Sequence, residues 1–393
     1  MTPSARVQTA IELLDAIIEA ARDKGAPADR ILADWFRANR FAGSKDRRAI
    51  RELVYAAVRA CGPVPESGRA AMLRLANGDR SLEQLFDGSN YGPRPIAADE
   101  PVAQGGIAPE WLTDRLQLSG IGKGEAGTLL DRAPLDVRIN GLKTDRNRLD
   151  LPEPGEPLSA PQGLRYPAGT GVERWEAYRE GLIEIQDLGS QWACLAVGAR
   201  EGETIIDLCA GAGGKTLALA AHTDNTATLV AADTDKRRLG NLAPRAARAG
   251  ARVDHSILLD PGRELEALDG WIGKADRVLV DAPCSGTGTW RRNPEARWRL
   301  TPEVLDRLVA TQAQILDNAV RLLKPGGRLI YVVCSLLDEE GADQFDALLA
   351  RHSQFSPQAL ALPLGRERGR GVRLTPHHDG TDGFFIACAV SAC

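Results

Sequence analysis

The sequence lacks a long apolar run, an apolar signal segment and an excess of charge of either sign. No stretch approaches the roughly 18–20 apolar residues of a membrane span, and the amphipathic N-terminus carries acidic residues. We therefore expect a cytoplasmic protein with no membrane partner. The 49 basic and 53 acidic residues leave a net charge of −4. Any surface that binds a polyanion must therefore be local.

The seven cysteines are scattered, without close pairs and without the spacing of a zinc finger. This pattern argues against a disulfide framework and a structural metal, and it favours a reducing compartment. The sequence also lacks internal repeats and low-complexity tracts. Its 393 residues, 43% of them hydrophobic, are enough for roughly two to three domains.

What the sequence does contain is a strand, a glycine loop and a helix within residues 204–216 (TIIDLCAGAGGKT). Such a loop brings backbone N–H groups close to a bound ligand. Two familiar nucleotide motifs each miss by one residue: Cys209 replaces the first glycine of a P-loop, and Thr216 replaces the third glycine of a dinucleotide fingerprint.

A second apolar strand, residues 228–233 (TLVAAD), ends in Asp233. A carboxylate at this position is suited to accept hydrogen bonds from a ribose diol. The loop and the acid together favour an adenosyl cofactor. An NTPase and a cofactor-free α/β domain remain as alternatives.

The pattern of apolar residues predicts a helical domain over 1–90, a linker over 91–106, a small α+β domain over 107–182 and an α/β domain over 183–393. Candidate strands of the last domain lie at 204–208, 228–233, 252–258, 277–282, 328–334 and 384–390. The longest helix is predicted over 302–324. We expect a doubly wound parallel sheet, with its ligands at the carboxyl ends of the strands and with an antiparallel final strand.

Two cysteines stand at equivalent strand ends, and each is followed by serine. Cys284 follows the strand that ends in Asp281, and Cys334 follows the next predicted strand. A lone cysteine in a strand or helix is usually a small buried hydrophobe, as we expect for Cys194 and Cys388, but two at equivalent positions indicate chemistry. Asp281 also fits a Walker-B strand, which keeps the NTPase open, although an NTPase needs no cysteine beside that acid.

Five segments, in this order and spacing, resemble the motif series of the RNA cytosine-5 methyltransferases of the Nop/Sun group. They are QDLGSQ (186–191), DLCAGAGGKT (207–216), DAPCSGTG (281–288), VCS…EE (333–340) and DGFF (382–385). The helical N-terminus resembles the NusB-type domain of the Fmu/RsmB branch, which modifies small-subunit ribosomal RNA. Val333 and Gly341 depart from the threonine and asparagine that are usual in the family.

The resemblance implies a Rossmann-like methyltransferase domain that uses S-adenosyl-L-methionine to methylate carbon 5 of a cytosine in RNA. It assigns the attacking thiolate to Cys334, product release to Cys284, contact with the base to Asp281 and a place near the catalytic centre to Lys215. It assigns the cofactor ribose to Asp233 and the adenine amine to Asp260. The remaining expected cofactor contacts are Cys209, Ala210, Gly211, Ala212, Gly213, Gly214, Lys215 and Asp281.

RNA, most simply ribosomal RNA, is the expected partner. The alternatives are a transfer RNA cytosine-5 methyltransferase, a P-loop-like NTPase and a non-catalytic RNA-binding assembly factor. Basic residues within 37–51 and the segment 289–299 (TWRRNPEARWR) suit phosphate contact and base stacking, although a solvated helix face and a basic loop capping the sheet remain alternatives. The candidate RNA contacts are Arg37, Arg40, Arg47, Arg48, Arg291, Arg292, Trp298 and Arg373. Neither the target nucleotide nor the oligomeric state follows from the sequence.

Overall fold

A computed structural model describes residues 1–23 and 25–392. It divides into two compact units. The helical unit comprises Met1–Asp131 and Thr289–Thr301, and the α/β unit comprises Arg132–Gly288 and Pro302–Cys393. This division differs from the predicted one, because residues 91–131 pack with the helices and a short segment from the middle of the α/β sequence returns to them.

The α-helices described in the helical unit are α1 (Pro3–Arg22), α2 (Ala28–Ala38), α3 (Ser44–Ala60), α4 (Gly68–Ala76), α5 (Arg80–Glu83), α6 (Glu110–Leu118) and α7 (Lys123–Gly127), with a 3₁₀ turn at Thr128–Leu130. The apolar residues that recur along α1 at helical spacing are buried, among them Val7, Ile11, Leu14 and Ile18. The first turn of α1 is capped by the Thr2 hydroxyl, which accepts a hydrogen bond from the Ala5 amide at 3.2 Å.

The predicted linker is part of the helical unit. The Ala103 amide donates to the Ala70 carbonyl at 3.1 Å, and the Gly62 amide donates to the Gln104 carbonyl at 3.0 Å. Ala103 itself is buried in the core of the helices. Proline and glycine therefore mark an irregular, mostly exposed segment whose end packs against the helices.

Residues Thr289–Thr301, the returning segment, hold the ends of three helices in the helical unit. Arg297 donates to the carbonyls of Val58 and Cys61, both at 2.7 Å, at the C-terminal end of α3. Arg299 donates to the Ala20 carbonyl at 3.1 Å, near the end of α1. The Ala28 amide, at the start of α2, donates to a carboxylate oxygen of Glu295 at 3.1 Å. Cations at C-termini and an anion at an N-terminus match the helix dipoles.

The α/β unit contains the strands β1 (Leu135–Ile139), β2 (Glu156–Pro157), β3 (Gly163–Tyr166), β4 (Ile183–Ile185), β5 (Thr204–Asp207), β6 (Thr228–Asp233), β7 (His255–Leu258), β8 (Ala275–Asp281), β9 (Leu323–Val333), β10 (Phe355–Pro357), β11 (Arg366–Arg368), β12 (Gly371–Leu374) and β13 (Phe384–Ser391). Its α-helices are α8 (Glu176–Arg179), α9 (Leu188–Ala196), α10 (Gly214–His222), α11 (Lys236–Leu239), α12 (Leu242–Ala249), α13 (Glu264–Ala267), α14 (Pro302–Leu322), α15 (Ala342–Arg351) and α16 (Pro376–Asp379). Further 3₁₀ turns lie at Val172–Arg174, Asp269–Trp271 and Thr287–Thr289, and another, Pro294–Arg299, lies in the returning segment of the helical unit. The predicted strands of the α/β domain are thus observed, with shifts of a few residues at their ends.

Nine strands form the main sheet, in the order β11-β12-β13-β9-β8-β5-β6-β7, with β10 paired to β13. Within this order, the five strands β9, β8, β5, β6 and β7 pair with one another in parallel. β13 pairs antiparallel with β9, which confirms the expected antiparallel final strand. A smaller antiparallel sheet has the order β2-β3-β1-β4, and it belongs to the same unit.

Both faces of the central parallel strands are buried, so successive residues enter different cores. Ile206 and Val278 contribute to one core, with Leu316 of α14, whereas Ile205 and Leu279 contribute to the other. A sheet covered on both faces reads as a continuous apolar run, as in RVLV of β8. Polar and reactive residues are then confined to the strand ends, where the site lies.

Candidate active site

The loop between β5 and α10 is held in a conformation that needs glycine. Gly213 has a φ of +86°, and a Cβ there would lie 2.2 Å from a methyl of Leu242. The Gly213 amide donates to the Ala210 carbonyl at 2.9 Å, and Gly213 also caps the start of α10. The loop therefore turns tightly and leads into a helix N-terminus.

Asp233, at the end of β6, fixes this loop from the side. One carboxylate oxygen accepts a hydrogen bond from the Gly211 amide, and the other accepts from the Asp235 amide, both at 2.7 Å. Asp233 is only 6% exposed but lines the cavity described below. Each carboxylate oxygen can accept a second hydrogen bond, so a ligand hydroxyl can still be bound.

Asp207, the last residue of β5, is a buried carboxylate for which the sequence predicted no individual role. The Thr216 hydroxyl donates to its Oδ2 at 2.7 Å, while its Oδ1 is buried and has no hydrogen-bond partner among the described residues. Burial, with the nearby charge of Asp281, raises the pKa of Asp207 to about 6, although the Thr216 bond opposes this. This unpaired oxygen is buried, and Asp207 does not line the cavity described below.

Lys215, in the first turn of α10, forms an ion pair with Asp281, the last residue of β8, and its Nζ lies 2.5 Å from Oδ2 of Asp281. Burial acts to lower the pKa of Lys215, but the charge of Asp281 outweighs it and the pKa is raised. Lys215 therefore stays protonated.

The two predicted reactive cysteines lie next to each other. The sulfurs of Cys284 and Cys334 are 3.3 Å apart. The hydrogen bond with Cys334, together with burial, raises the pKa of Cys284 well above its usual value. Either sulfur can be the donor in this contact, and the assignment of the nucleophile to Cys334 remains a prediction.

The loops that carry these cysteines are joined by a network of buried polar groups. The Ser335 hydroxyl lies 3.2 Å from the Ser285 hydroxyl and 3.1 Å from that of Thr287. The Gly288 amide donates to the Cys334 carbonyl at 3.1 Å. These contacts fix one cysteine relative to the other.

The DGFF segment packs against the same loops. Gly383 donates its amide to the Gly288 carbonyl at 2.8 Å. A Cβ on Gly383 would lie 2.6 Å from the Cα of Gly288. The glycine in this segment is thus explained by a close backbone approach.

A cavity of about 500 Å³ opens at the strand ends, which is the size of a small-molecule site. Five of the predicted site residues line this cavity: Cys209, Asp233, Asp281, Cys284 and Cys334. Apolar side chains, among them Leu208, Leu259, Pro261 and Ile315, supply the rest of the wall together with polar groups of α11, α13 and α14.

Two predicted cofactor contacts differ in character from the rest. Burial raises the pKa of Cys209 well above its usual value, so this residue lines the cavity as a neutral thiol. Asp260 does not line the cavity, and its side chain is 70% exposed, 3.9 Å from Arg263. The structure therefore brings Asp233 and the glycine loop together but leaves Asp260 outside. Ala210, Ala212 and Gly214 belong to that loop, and their predicted cofactor contact remains a prediction.

The structure does not support the RNA contacts predicted for Trp298, Arg291 and Arg373. Trp298 is 4% exposed and packs in the core of the helical unit, so neither ring face can stack on a base. Arg291 is 6% exposed in the same unit. Arg373 is also buried, and its guanidinium pairs with the carboxylate of Asp338. Arg292 is half-buried, and its contact with RNA stays a prediction.

Other predicted RNA contacts are exposed on the helical unit. Arg37 and Arg48 are 77% and 83% exposed, and each forms an ion pair within its own helix. Arg40 is exposed, and among the described residues it forms no ion pair. Arg47 is half-buried, with its guanidinium 5.7 Å from the Phe36 ring centre. Their contact with RNA is not tested by the geometry.

Two buried polar residues that hydrogen-bond to the loop carrying Cys284, Gln312 and Glu340, were not predicted individually. Glu340 is the second acid of VCS…EE, so the motif pointed to it without a role. Gln312 lies inside the apolar pattern of α14, and its only signal is a polar residue at a buried helix position.

No group of three or more His, Cys, Asp or Glu suited to a metal occurs within residues 1–23 and 25–392. In the same residues no helix is long and apolar enough to cross a membrane.

Comparison with known proteins is consistent with this geometry. Residues 194–389 match the family described as 16S rRNA methyltransferase RsmB/F. A probable ribosomal RNA small subunit methyltransferase B from Synechocystis is 31% identical, over 87% of this chain and 82% of that protein. A ribosomal RNA small subunit methyltransferase B from Pasteurella multocida is 33% identical, over 72% of this chain and 64% of that protein. The crystal structure of PH0851 shares the fold, with a TM-score of 0.75 at 24% identity and coverage of 99% of both chains.

These matches confirm the predicted kinship with RNA methyltransferases of the Fmu/RsmB branch. They show an RNA methyltransferase rather than an NTPase or a non-catalytic factor, and S-adenosyl-L-methionine is its cofactor. The NusB-type nature of the helical unit stays a prediction. The chain belongs to the RsmB/F family of 16S ribosomal RNA methyltransferases.

Proposed function

We propose that this protein methylates carbon 5 of a cytosine in small-subunit ribosomal RNA through a covalent adduct with Cys334. The observation that carries the proposal is the 3.3 Å separation of two cysteine sulfurs in a cavity that also contains Asp281 and Asp233. The relatives named above, both small-subunit ribosomal RNA methyltransferases, support the substrate class. A cavity built only to bind a cofactor would need no pair of thiols.

The residues at the cavity fit S-adenosyl-L-methionine. Asp233 can accept a hydrogen bond from a ribose hydroxyl while it holds the Gly211 amide. Leu259, Pro261 and Ile315 offer apolar surface for a planar base. The cofactor supplies a methyl group made electrophilic by a sulfonium.

Cytosine carbon 5 is a weak nucleophile, and covalent addition to the ring overcomes this. The Cys334 thiolate adds to carbon 6, the 5,6-double bond opens, and the ring takes up a proton from water at N3. Asp281 accepts hydrogen bonds from N3–H and the amino group, and Lys215 orients its carboxylate. Carbon 5 then gains the methyl group. The target base must leave its stack to reach these sulfurs.

Release requires loss of the carbon 5 proton. Once Cys334 is bonded to carbon 6 it no longer accepts the Cys284 hydrogen bond, and Cys284 gives its proton to water. The Cys284 thiolate then takes the carbon 5 proton, the 5,6-double bond re-forms, and the carbon–sulfur bond breaks to return the Cys334 thiolate. N3 gives its proton back to water, so one methyl enters and one proton leaves.

The test compares two nearly isosteric variants. We expect Cys334→Ser to abolish methylation, because a hydroxyl is far less ionised than a thiol at neutral pH. We expect Cys284→Ser to accumulate a protein–RNA adduct that survives denaturing electrophoresis, after incubation with small-subunit ribosomal RNA and cofactor. The double variant should accumulate none, because no adduct forms.

Far-UV circular dichroism of each variant serves as the control for folding. Trapping by Cys334→Ser, with a merely inactive Cys284→Ser, would reverse the two roles. Full turnover in both variants would exclude the covalent mechanism. Bisulfite sequencing of the product RNA identifies the methylated carbon and the position.

A further inference from the structure

Gln312 and Glu340 lie on different elements but reach the same short loop, the one that carries Cys284. Both are fully buried. Gln312 Nε2 donates to the Pro283 carbonyl at 2.9 Å and to Glu340 Oε1 at 3.0 Å. Glu340 accepts from the Ser285 amide at 2.8 Å and also from the Ser285 hydroxyl. The backbone is therefore held on both sides of Cys284.

Helix packing alone does not account for a glutamine at this place in α14. The side-chain carbonyl oxygen of Gln312 is buried and accepts no hydrogen bond among the described residues. A buried carbonyl without a donor destabilises the fold, and an apolar side chain would avoid that cost. The amide group is thus retained where its two donated hydrogen bonds are needed.

We propose that Gln312 and Glu340 are positioning residues for Cys284. By fixing the Pro283 carbonyl and the Ser285 amide, they keep the Cys284 sulfur against that of Cys334, and they thereby set the rate of adduct breakdown. This kinetic consequence rests on the covalent mechanism proposed above. The positional part concerns only the two sulfurs and is tested separately.

The kinetic test uses Gln312→Ala, with Gln344→Ala as a matched control. Gln344 is also a buried glutamine, and its Nε2 donates to a carbonyl of α14, that of Val309, at 2.7 Å. We expect Gln312→Ala to transfer the first methyl group at close to the wild-type rate. Adduct breakdown should slow about tenfold, the order of effect expected from losing the hydrogen bond to the Pro283 carbonyl, the one of the two that reaches the backbone beside Cys284. Gln344→Ala should match the wild type in both steps.

Cys284→Ser is the reference in the same experiment. If it traps RNA while Gln312→Ala releases product at the wild-type rate, the positioning role is overturned and the proposed function stands. If Cys284→Ser traps nothing, the release role of Cys284 falls, and with it the kinetic part of the inference.

The positional test needs no RNA. Diamide takes two electrons and two protons from the Cys284 and Cys334 thiols and joins them as a disulfide, which peptide mass spectrometry quantifies. We expect this oxidation to be about tenfold slower in Gln312→Ala, and slower in Glu340→Gln, than in the wild type and Gln344→Ala. Equal rates in all four proteins would overturn the inference, whatever the mechanism of methylation.

Discussion

Replacing Asp207 by asparagine should make the cofactor-free protein more stable at neutral pH. The asparagine oxygen can still accept from the Thr216 hydroxyl, and its amino group takes the place of the oxygen that has no partner. The pKa of Asp207 is raised from 3.8 to about 6. A raised carboxyl pKa stabilises the fold at low pH, and that stability is lost as the pH rises from about 4 through about 6.

The expected gain follows from the pKa difference. At pH 7.5 the folded wild type must hold a buried charge, and a pKa shift of about two units then lowers its free energy of unfolding by about 3 kcal/mol. At pH 4.5 the same shift lowers it by about 1 kcal/mol, and Asp207→Asn should regain these amounts. Urea denaturation at both pH values, followed by circular dichroism, measures this gain.

Asp254 provides the opposite control. Burial acts to raise its pKa, but the Leu229 amide and Arg252 outweigh this and lower it. Asp254→Asn should therefore have a lower free energy of unfolding than the wild type at pH 7.5. Below pH 3 the two proteins should differ little in stability. A gain from Asp207→Asn that is the same at both pH values, or a loss at pH 7.5, would refute the reasoning.

Two further predictions concern ligands. Asp233→Asn should weaken S-adenosyl-L-methionine binding about 10- to 150-fold by titration calorimetry. The single oxygen of asparagine cannot accept hydrogen bonds from the backbone N–H groups of Gly211 and Asp235 and from the ribose as well. Unchanged affinity would place the ribose elsewhere. Exchanging Arg40 and Lys45 together for alanine should reduce the slope of log affinity for RNA against log salt by roughly 1.5, at 0.7–0.9 per phosphate. The same slope in this variant and in the wild type would leave both residues as solvated surface cations.

The strands, the glycine loop and Asp233 could be predicted because their signals are local. An apolar run bounded by glycine identifies a strand end wherever the sheet is buried on both faces. The juxtaposition of Cys284 and Cys334 followed from the same rule, since parallel strands end at one edge. Their 3.3 Å separation could not, because the two cysteines are 50 residues apart in sequence and the packing of their loops leaves no local signal.

The returning segment shows where sequence reasoning fails. Alternating tryptophan and arginine is typical of an RNA-binding loop, yet it equally suits a segment that must fill an apolar core and bind helix carbonyls. Arg297 does the second, with 0% exposure and hydrogen bonds to Val58 and Cys61. Composition alone cannot separate these cases, because both need a large apolar surface beside a cation.

The returning segment also sets the order of events during synthesis. N-terminal domains generally fold first as the chain emerges, at about 5–20 residues per second. Here the helices up to Asp131 lack Trp298 in their core, and the carbonyls at the end of α3 lack Arg297, until Thr301 has been translated. That interval is roughly 10–35 s at these rates. The helical unit therefore completes its core only after most of the parallel strands have left the ribosome, and a gene cut after residue 131 would encode helices with an open core.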